Sequence, residues 1–179
     1  MKGIINQCAV ELVKNKFGEE KLKQILKEAG LPEDIEIVAL EDYPDEVTVK
    51  FIEAASKVLN ITPEDVMLAF GDYWVNEFAP KKFRVIYGKY KTAKDFLRGM
   101  DETHKWATQT MEGSTPPHFE YEEPDENTII MHYFSRRKLT KILEGLIKGV
   151  LKYFKTEAEV TQIDSDKPGA VCAFKIVFK

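Results

Sequence analysis

Apolar positions in the first half of the chain recur at helical spacing. Ile4, Ile5, Cys8, Ala9, Leu12 and Val13 fall three and four apart and predict an opening helix that breaks at Phe17-Gly18. Leu22, Ile25, Leu26 and Ala29 predict a second, short helix, stopped by Gly30 with Pro32 just beyond. Residues 33–43 carry no period and read as loop, and Val47, Phe51, Ile52, Ala55, Val58 and Leu59 mark a third helix. Thr62-Pro63-Glu64-Asp65 supplies an N-cap, a proline at the first helical position and an acidic partner to the cap. The helix it opens bears Val66, Met67, Phe70, Tyr73, Trp74 and Phe78 and is expected to end near Ala79-Pro80, with 81–91 irregular. Thr92-Ala93-Lys94-Asp95 starts one further helix carrying Phe96, Leu97, Met100, His104, Ala107 and Met111, ended by Gly113 and Pro116-Pro117.

The period then changes. Phe119 to Glu122 and Thr128 to Phe134 read as two strands around the acidic turn 123–127. Leu139, Ile142, Leu143, Leu146, Ile147, Val150, Leu151 and Phe154 return to helical spacing, and Ala158 to Ile163 and Ala170 to Phe178 read as a final strand pair. This order predicts an α+β fold. A helical N-terminal lobe of about residues 1–60 is followed by a lobe of about residues 61–179 with further helices and a four-stranded antiparallel sheet, all in one domain.

Composition narrows the function classes. The chain has 179 residues, 44% hydrophobic and 31% charged, an ordinary globular balance long enough to enclose a cofactor-sized cavity. Net charge is -4 and the pI about 5.5, which argues against nucleic-acid binding through bulk charge. The short basic stretch Lys81, Lys82, Arg84, Lys89, Lys91 and Lys94 reads as solvated surface. Cys8 and Cys172 make no CxxC pair and no disulfide framework, and Cys8 reads as a small buried hydrophobe. The apolar start is too short for a signal peptide, Gly3 is misplaced for myristoylation, and no apolar stretch is long enough to span a bilayer. These features lead us to expect a cytoplasmic protein that engages no membrane.

Two features could carry chemistry. His104 lies on the apolar helix face with Leu97, Met100, Ala107 and Met111. A histidine there is either a hydrogen-bonded core residue or a metal ligand. In Tyr133-Phe134-Ser135-Arg136-Arg137, an extended backbone would point residues 133, 135 and 137 the same way. A phenol, a hydroxyl and a guanidinium in a row suit paired carboxylates. The alternative is a strand end with Ser135 capping the next helix. His118 and His132 read as ordinary polar positions, and the acidic stretch Glu120 to Glu126 as a solvated turn. GxGxxG, GxxxxGK[ST] and HExxH are all absent from the sequence.

Taken together, the chain resembles the H-NOX family, the haem nitric oxide/oxygen binding domains related to the sensor region of soluble guanylate cyclase, in its stand-alone bacterial form. The resemblance rests on Met1-Lys2-Gly3-Ile4-Ile5 at the start, Met100-Asp101-Glu102-Thr103-His104, Thr115-Pro116-Pro117, and Tyr133-x-Ser135-x-Arg137. It implies haem b buried between two lobes, with His104 as the proximal iron ligand. It implies propionates held by Tyr133, Ser135 and Arg137, and a porphyrin bent by Pro117 with Met100 close by. The distal pocket it implies is Ile5, Ala9, Trp74, Phe78, Ile142 and Leu146. Oxygen-binding members place a tyrosine where this chain has Ile142, and residues 139–151 contain no tyrosine. The resemblance therefore implies a sensor of nitric oxide and carbon monoxide that excludes oxygen, not an enzyme. It would signal by haem relaxation and lobe rotation. Since the chain ends just past the last strand, the expected partner is a separate histidine kinase or diguanylate cyclase. Some members carry a zinc site of several cysteines and a histidine; with Cys172 alone in that region, no zinc is expected. The competing readings are an oxygen sensor using the Trp74 indole as donor and a haem-free interaction module.

Overall fold

The computed structural model describes residues 1–109 and 113–179, so the Met111 assignment lies outside the described residues. The chain divides into two compact units, Met1–Phe70 and Gly71–Lys179. In the first, α1 (Gly3–Phe17), α2 (Glu19–Glu28) and α3 (Asp45–Leu59) follow the periodicity closely. Gly18, at φ 86°, lets the chain reverse direction between α1 and α2. Val13, Leu22, Ile25, Leu26, Phe51, Ala54 and Ala55 form this unit's core. Cys8 is fully buried, as its place on the apolar face of α1 requires.

The start of α4 (Pro63–Tyr73) is a reciprocal cap. Thr62 Oγ1 accepts from the Asp65 N–H at 3.1 Å and donates to Asp65 Oδ2 at 2.7 Å. The helical path does not stop at Ala79-Pro80 as expected. It runs through a π-helical turn, Trp74–Phe78, into α5 (Ala79–Lys82), and α6 (Arg84–Lys89) follows at once. Pro80 sits in the first turn of α5. The irregular stretch predicted for 81–91 is thus largely helical, because Tyr87 buries its ring and donates to the Val75 carbonyl at 2.9 Å.

The single helix predicted after Thr92 is two, α7 (Ala93–Arg98) and α8 (Met100–Thr108), separated at Gly99. The cause is Tyr90. A Cβ on Gly99 would stand 2.2 Å from its hydroxyl oxygen. That hydroxyl donates to the Gly99 carbonyl at 3.2 Å and lies 3.0 Å from Thr103 Oγ1.

The sheet is antiparallel throughout. Its strands β1 (His118–Asp125), β2 (Thr128–Phe134), β3 (Ala158–Ile163) and β4 (Cys172–Phe178) lie in the order β1-β2-β4-β3. The acidic turn is tighter than predicted, since β1 continues to Asp125, whose carboxylate accepts from Asn127 N–H and Thr128 Oγ1. One face of the sheet supplies Phe119, Ile129, Met131, Tyr133, Phe174 and Ile176 to the core. They pack with Leu143, Ile147, Val150 and Leu151 of α9 (Thr140–Tyr153). Among the described residues, no helix is long and apolar enough to cross a membrane.

Candidate functional site

His104 sits in the middle of α8 and is partly buried. Its Nδ1 is buried and closes no hydrogen bond among the described residues. Burial holds the imidazole pKa below its ordinary value, while the Asp101 charge and the Pro117 carbonyl pull it partway back. The ring is therefore neutral at neutral pH, the form in which histidine ligates a metal.

The start of α8 is clamped to β1 through Asp101, which is 8% exposed. Its Oδ1 accepts from the Phe119 N–H at 2.9 Å and lies 2.7 Å from His118 Nδ1; its Oδ2 pairs with Lys105 at 2.6 Å. Burial works against ionising this carboxyl, but hydrogen bonds from Lys105, Phe119 and His118 outweigh it and hold the pKa below the usual carboxylate range. His118 is thus a partner of α8 rather than an unengaged polar position.

Phe119, so anchored, lies beside His104 with ring centroids 5.7 Å apart. Its cross-strand partner is Tyr133, stacked at 5.8 Å. Tyr133 is buried, which raises its phenol pKa against hydrogen bonding from Ser135 and the Leu139 backbone and the Arg137 charge. The predicted extended row is not what joins these residues. β2 ends at Phe134, and Ser135 Oγ accepts from the Arg137 N–H at 3.3 Å, folding the segment into a local turn. Nor does Ser135 cap α9, whose N-cap is Leu139 without a side-chain bond. The hydroxyl is already committed two residues on, and Lys138, at φ 52°, redirects the chain. Arg137 Nη1 donates to the Thr115 carbonyl at 2.9 Å, tying this turn to the Thr115-Pro116-Pro117 segment. A circuit results: His104, Pro117 and Thr115, then Arg137, Ser135, Tyr133 and Phe119, and back to His104. Met100, in the first turn of α8, packs partly buried on the core.

The remaining expected residues lie on other elements. Trp74 and Phe78 belong to the π-turn, their rings 5.3 Å apart, with Phe78 fully buried. Ile142 and Leu146 stand one turn apart on α9, both partly buried. Glycines bring these elements to backbone contact. A Cβ on Gly71 would stand 2.4 Å from Gly145 C and Leu146 N, and one on Gly149 would stand 3.1 Å from Val75 Cβ. Asn76 Nδ2 then donates to the Gly149 carbonyl at 3.2 Å. Ile5 and Ala9 are partly buried one turn apart on α1, in the N-terminal unit. Sequence reasoning overlooked these glycines, although Gly145-x-x-x-Gly149 inside a strong helical period was a visible signal of close packing. It overlooked the Asp101 clamp as well, which no local spacing announces.

The family model described as Haem-NO-binding matches residues 2–162. Among curated relatives, soluble guanylate cyclase gcy-37 of Caenorhabditis elegans is 25% identical over 175 residues, 93% of this chain and 24% of that protein. Soluble guanylate cyclase gcy-32 of the same organism is 26% identical over 156 residues, 85% of this chain and 23% of that protein. The chain thus spans about a quarter of the length of these cyclases, 24% and 23%. An I5F mutant of T. Tengcongensis H-NOX superposes with a TM-score of 0.90 at 26% identity, covering 100% of this chain and 98% of that one. An oxygen-binding H-NOX domain related to soluble guanylate cyclases, solved as its oxygen complex, superposes at 0.87 with 26% identity, covering 100% and 95%. The chain belongs to the Haem-NO-binding family and is an H-NOX domain, a haem-binding sensor domain related to soluble guanylate cyclase.

Proposed function

We propose that this H-NOX domain is a sensor of nitric oxide, and of carbon monoxide, that holds haem b through His104 and excludes oxygen. The observation that carries the ligand assignment is the His104 imidazole, kept neutral by burial, with a buried nitrogen that closes no hydrogen bond among the described residues. Its surroundings fit a haem. The Pro117 carbonyl favours a proton on one ring nitrogen, which leaves the lone pair of the other for iron. Tyr133, Ser135 and Arg137 converge as a phenol, a hydroxyl and a guanidinium, donors suited to two propionates. Pro117 and Met100 would press on the porphyrin. Bound ferrous haem supplies the coordination position for the diatomic ligand.

Selectivity comes from the chain's own distal residues. Phe78, Ile142 and Leu146 are apolar, and α9 has Ile142 where a tyrosine would donate. Retaining oxygen depends on a hydrogen-bond donor, because negative charge builds on it; nitric oxide and carbon monoxide make no such demand. Trp74 is the donor that an oxygen sensor would have to use. The chain performs no catalysis in this reading, since its pocket residues offer no acid or base. A change at His104 would leave through α8, whose start is held by Asp101 and the Gly99 break, toward a histidine kinase or diguanylate cyclase.

His104→Ala tests the assignment. The variant should lose haem on purification and regain a ferrous spectrum when imidazole is supplied. A variant that keeps the wild-type ferrous spectrum without imidazole would refute the role of His104.

A further inference from the structure

Beta-strand alternation places His132 on the sheet face opposite to Tyr133, and there it belongs to a second group of ligating side chains. His132 is 3% exposed, contrary to the ordinary polar position expected from sequence, because the β3–β4 connection lies over it. Ser165 Oγ in that connection is 2.7 Å from His132 Nδ1 and also accepts from the Lys167 N–H at 3.2 Å. The other ring nitrogen, Nε2, is buried, closes no hydrogen bond, and faces Glu122 Oε1 at 3.4 Å. Asp166 completes the group: one ligand atom each from Glu122, His132 and Asp166 lie within 4.8 Å of one another. Glu122 is partly exposed and Asp166 exposed, so an ion can enter from solvent.

We propose that Glu122, His132 and Asp166 bind a divalent cation of the zinc class. The Nε2–Oε1 separation of 3.4 Å is too long for an ordinary N–H···O bond. It is also the separation of two ligand atoms that each stand about 2.1 Å from one tetrahedral ion, which is about 3.4 Å. One imidazole with two carboxylates suits zinc and its first-row neighbours better than calcium or magnesium, which prefer all-oxygen shells. Ser165 on Nδ1 fixes the ring orientation and leaves Nε2 for the ion. Water completes the coordination. Lys167 Nζ stands in for the cation in the metal-free protein, 2.5 Å from Glu122 Oε1 and 4.0 Å from Asp166 Oδ1. Its side chain is free to swing outward when a metal displaces it. The site uses no cysteine, so the scarcity of cysteines does not bear on it, and it is independent of the haem reading.

The test is calorimetric titration of the full chain, stripped with a chelator, with zinc chloride at neutral pH. One equivalent should bind. Glu122→Gln and Asp166→Asn, both at solvent-accessible positions, should each weaken binding by at least about tenfold. Glu64→Gln, on the exposed first turn of α4, should leave it unchanged. Lys167→Ala should tighten binding, because it removes the competing ammonium. Haem content, read from the Soret band, should be equal in every variant. Absence of zinc binding, or binding indifferent to both Glu122→Gln and Asp166→Asn, would overturn the proposal.

Discussion

Replacing Gly71 with alanine adds one methyl group where two backbones touch. That carbon would stand 2.4 Å from Gly145 C and from Leu146 N, both backbone atoms of α9 that no rotamer change can move aside. Carbon contacts are comfortable from about 3.5 Å, so α9 must retreat by about 1 Å. Retreat strains the Asn76 bond to the Gly149 carbonyl, now 3.2 Å, and the Lys152–Asp72 pair at 2.8 Å. Overpacking of this kind costs about 1–3 kcal/mol. The lost hydrogen bond adds about 1 kcal/mol, and the exposed ion pair adds little. Alanine returns up to about 1 kcal/mol through its better helix propensity. The net is a destabilisation of about 1–3 kcal/mol by the dominant overpacking cost. Gly88 in α6 is the control: nothing lies within 4 Å of its would-be Cβ. Gly88→Ala should therefore change stability by between zero and about 1 kcal/mol in the favourable direction. Urea unfolding of the haem-loaded protein, followed by fluorescence of Trp74 and Trp106, measures both. A Gly71→Ala protein as stable as the wild type would refute the close-packing argument.

Other outcomes follow from the same geometry. Asp101→Asn should cost about 1.5–3 kcal/mol at pH 7, because hydrogen bonds to an ionised carboxylate are among the stronger ones. The folded-state pKa of Asp101 is depressed. Its contribution is therefore fully present above the unfolded value of about 3.9 and fades as pH falls through the lower folded value. The gap between wild type and Asp101→Asn in urea midpoints should narrow on acidification below that unfolded value, and a constant gap would contradict the assignment. Tyr90→Phe removes the hydroxyl on Gly99 and Thr103 and should cost about 1 kcal/mol in the same assay. Trp74→Phe should leave nitric oxide binding and the exclusion of oxygen unchanged; a change in oxygen retention would make the indole a donor.

Much of the fold was legible because it rests on period. The opening helices, α9 and both strand pairs announce themselves through spacing of three and four or of two, and the Thr62–Asp65 cap is a local signal fully realised in hydrogen bonds. The departures have tertiary causes. Gly99 breaks a helix because Tyr90 occupies the space of its Cβ. The chain past Pro80 stays helical because Tyr87 finds both a core and a carbonyl. In the candidate site, the residue types at 104, 133, 135 and 137 were readable, but their means of convergence was not. Ser135 bonds to the Arg137 N–H rather than extending the strand, and Arg137 reaches back to Thr115. Asp101, His118 and His132 gained their roles from partners distant in sequence, which spacing along the chain does not reveal.

The proposed function requires a His104-ligated haem that takes nitric oxide and refuses oxygen. The most direct measurement is the absorption spectrum of the reduced protein, recorded anaerobically, then with nitric oxide, then in air. The reduced protein should show a ferrous Soret band that shifts to shorter wavelength with nitric oxide, and no stable oxygen complex in air. A stable oxygen complex would contradict the selectivity, and the absence of any Soret band in protein expressed with a haem supply would contradict the haem site itself.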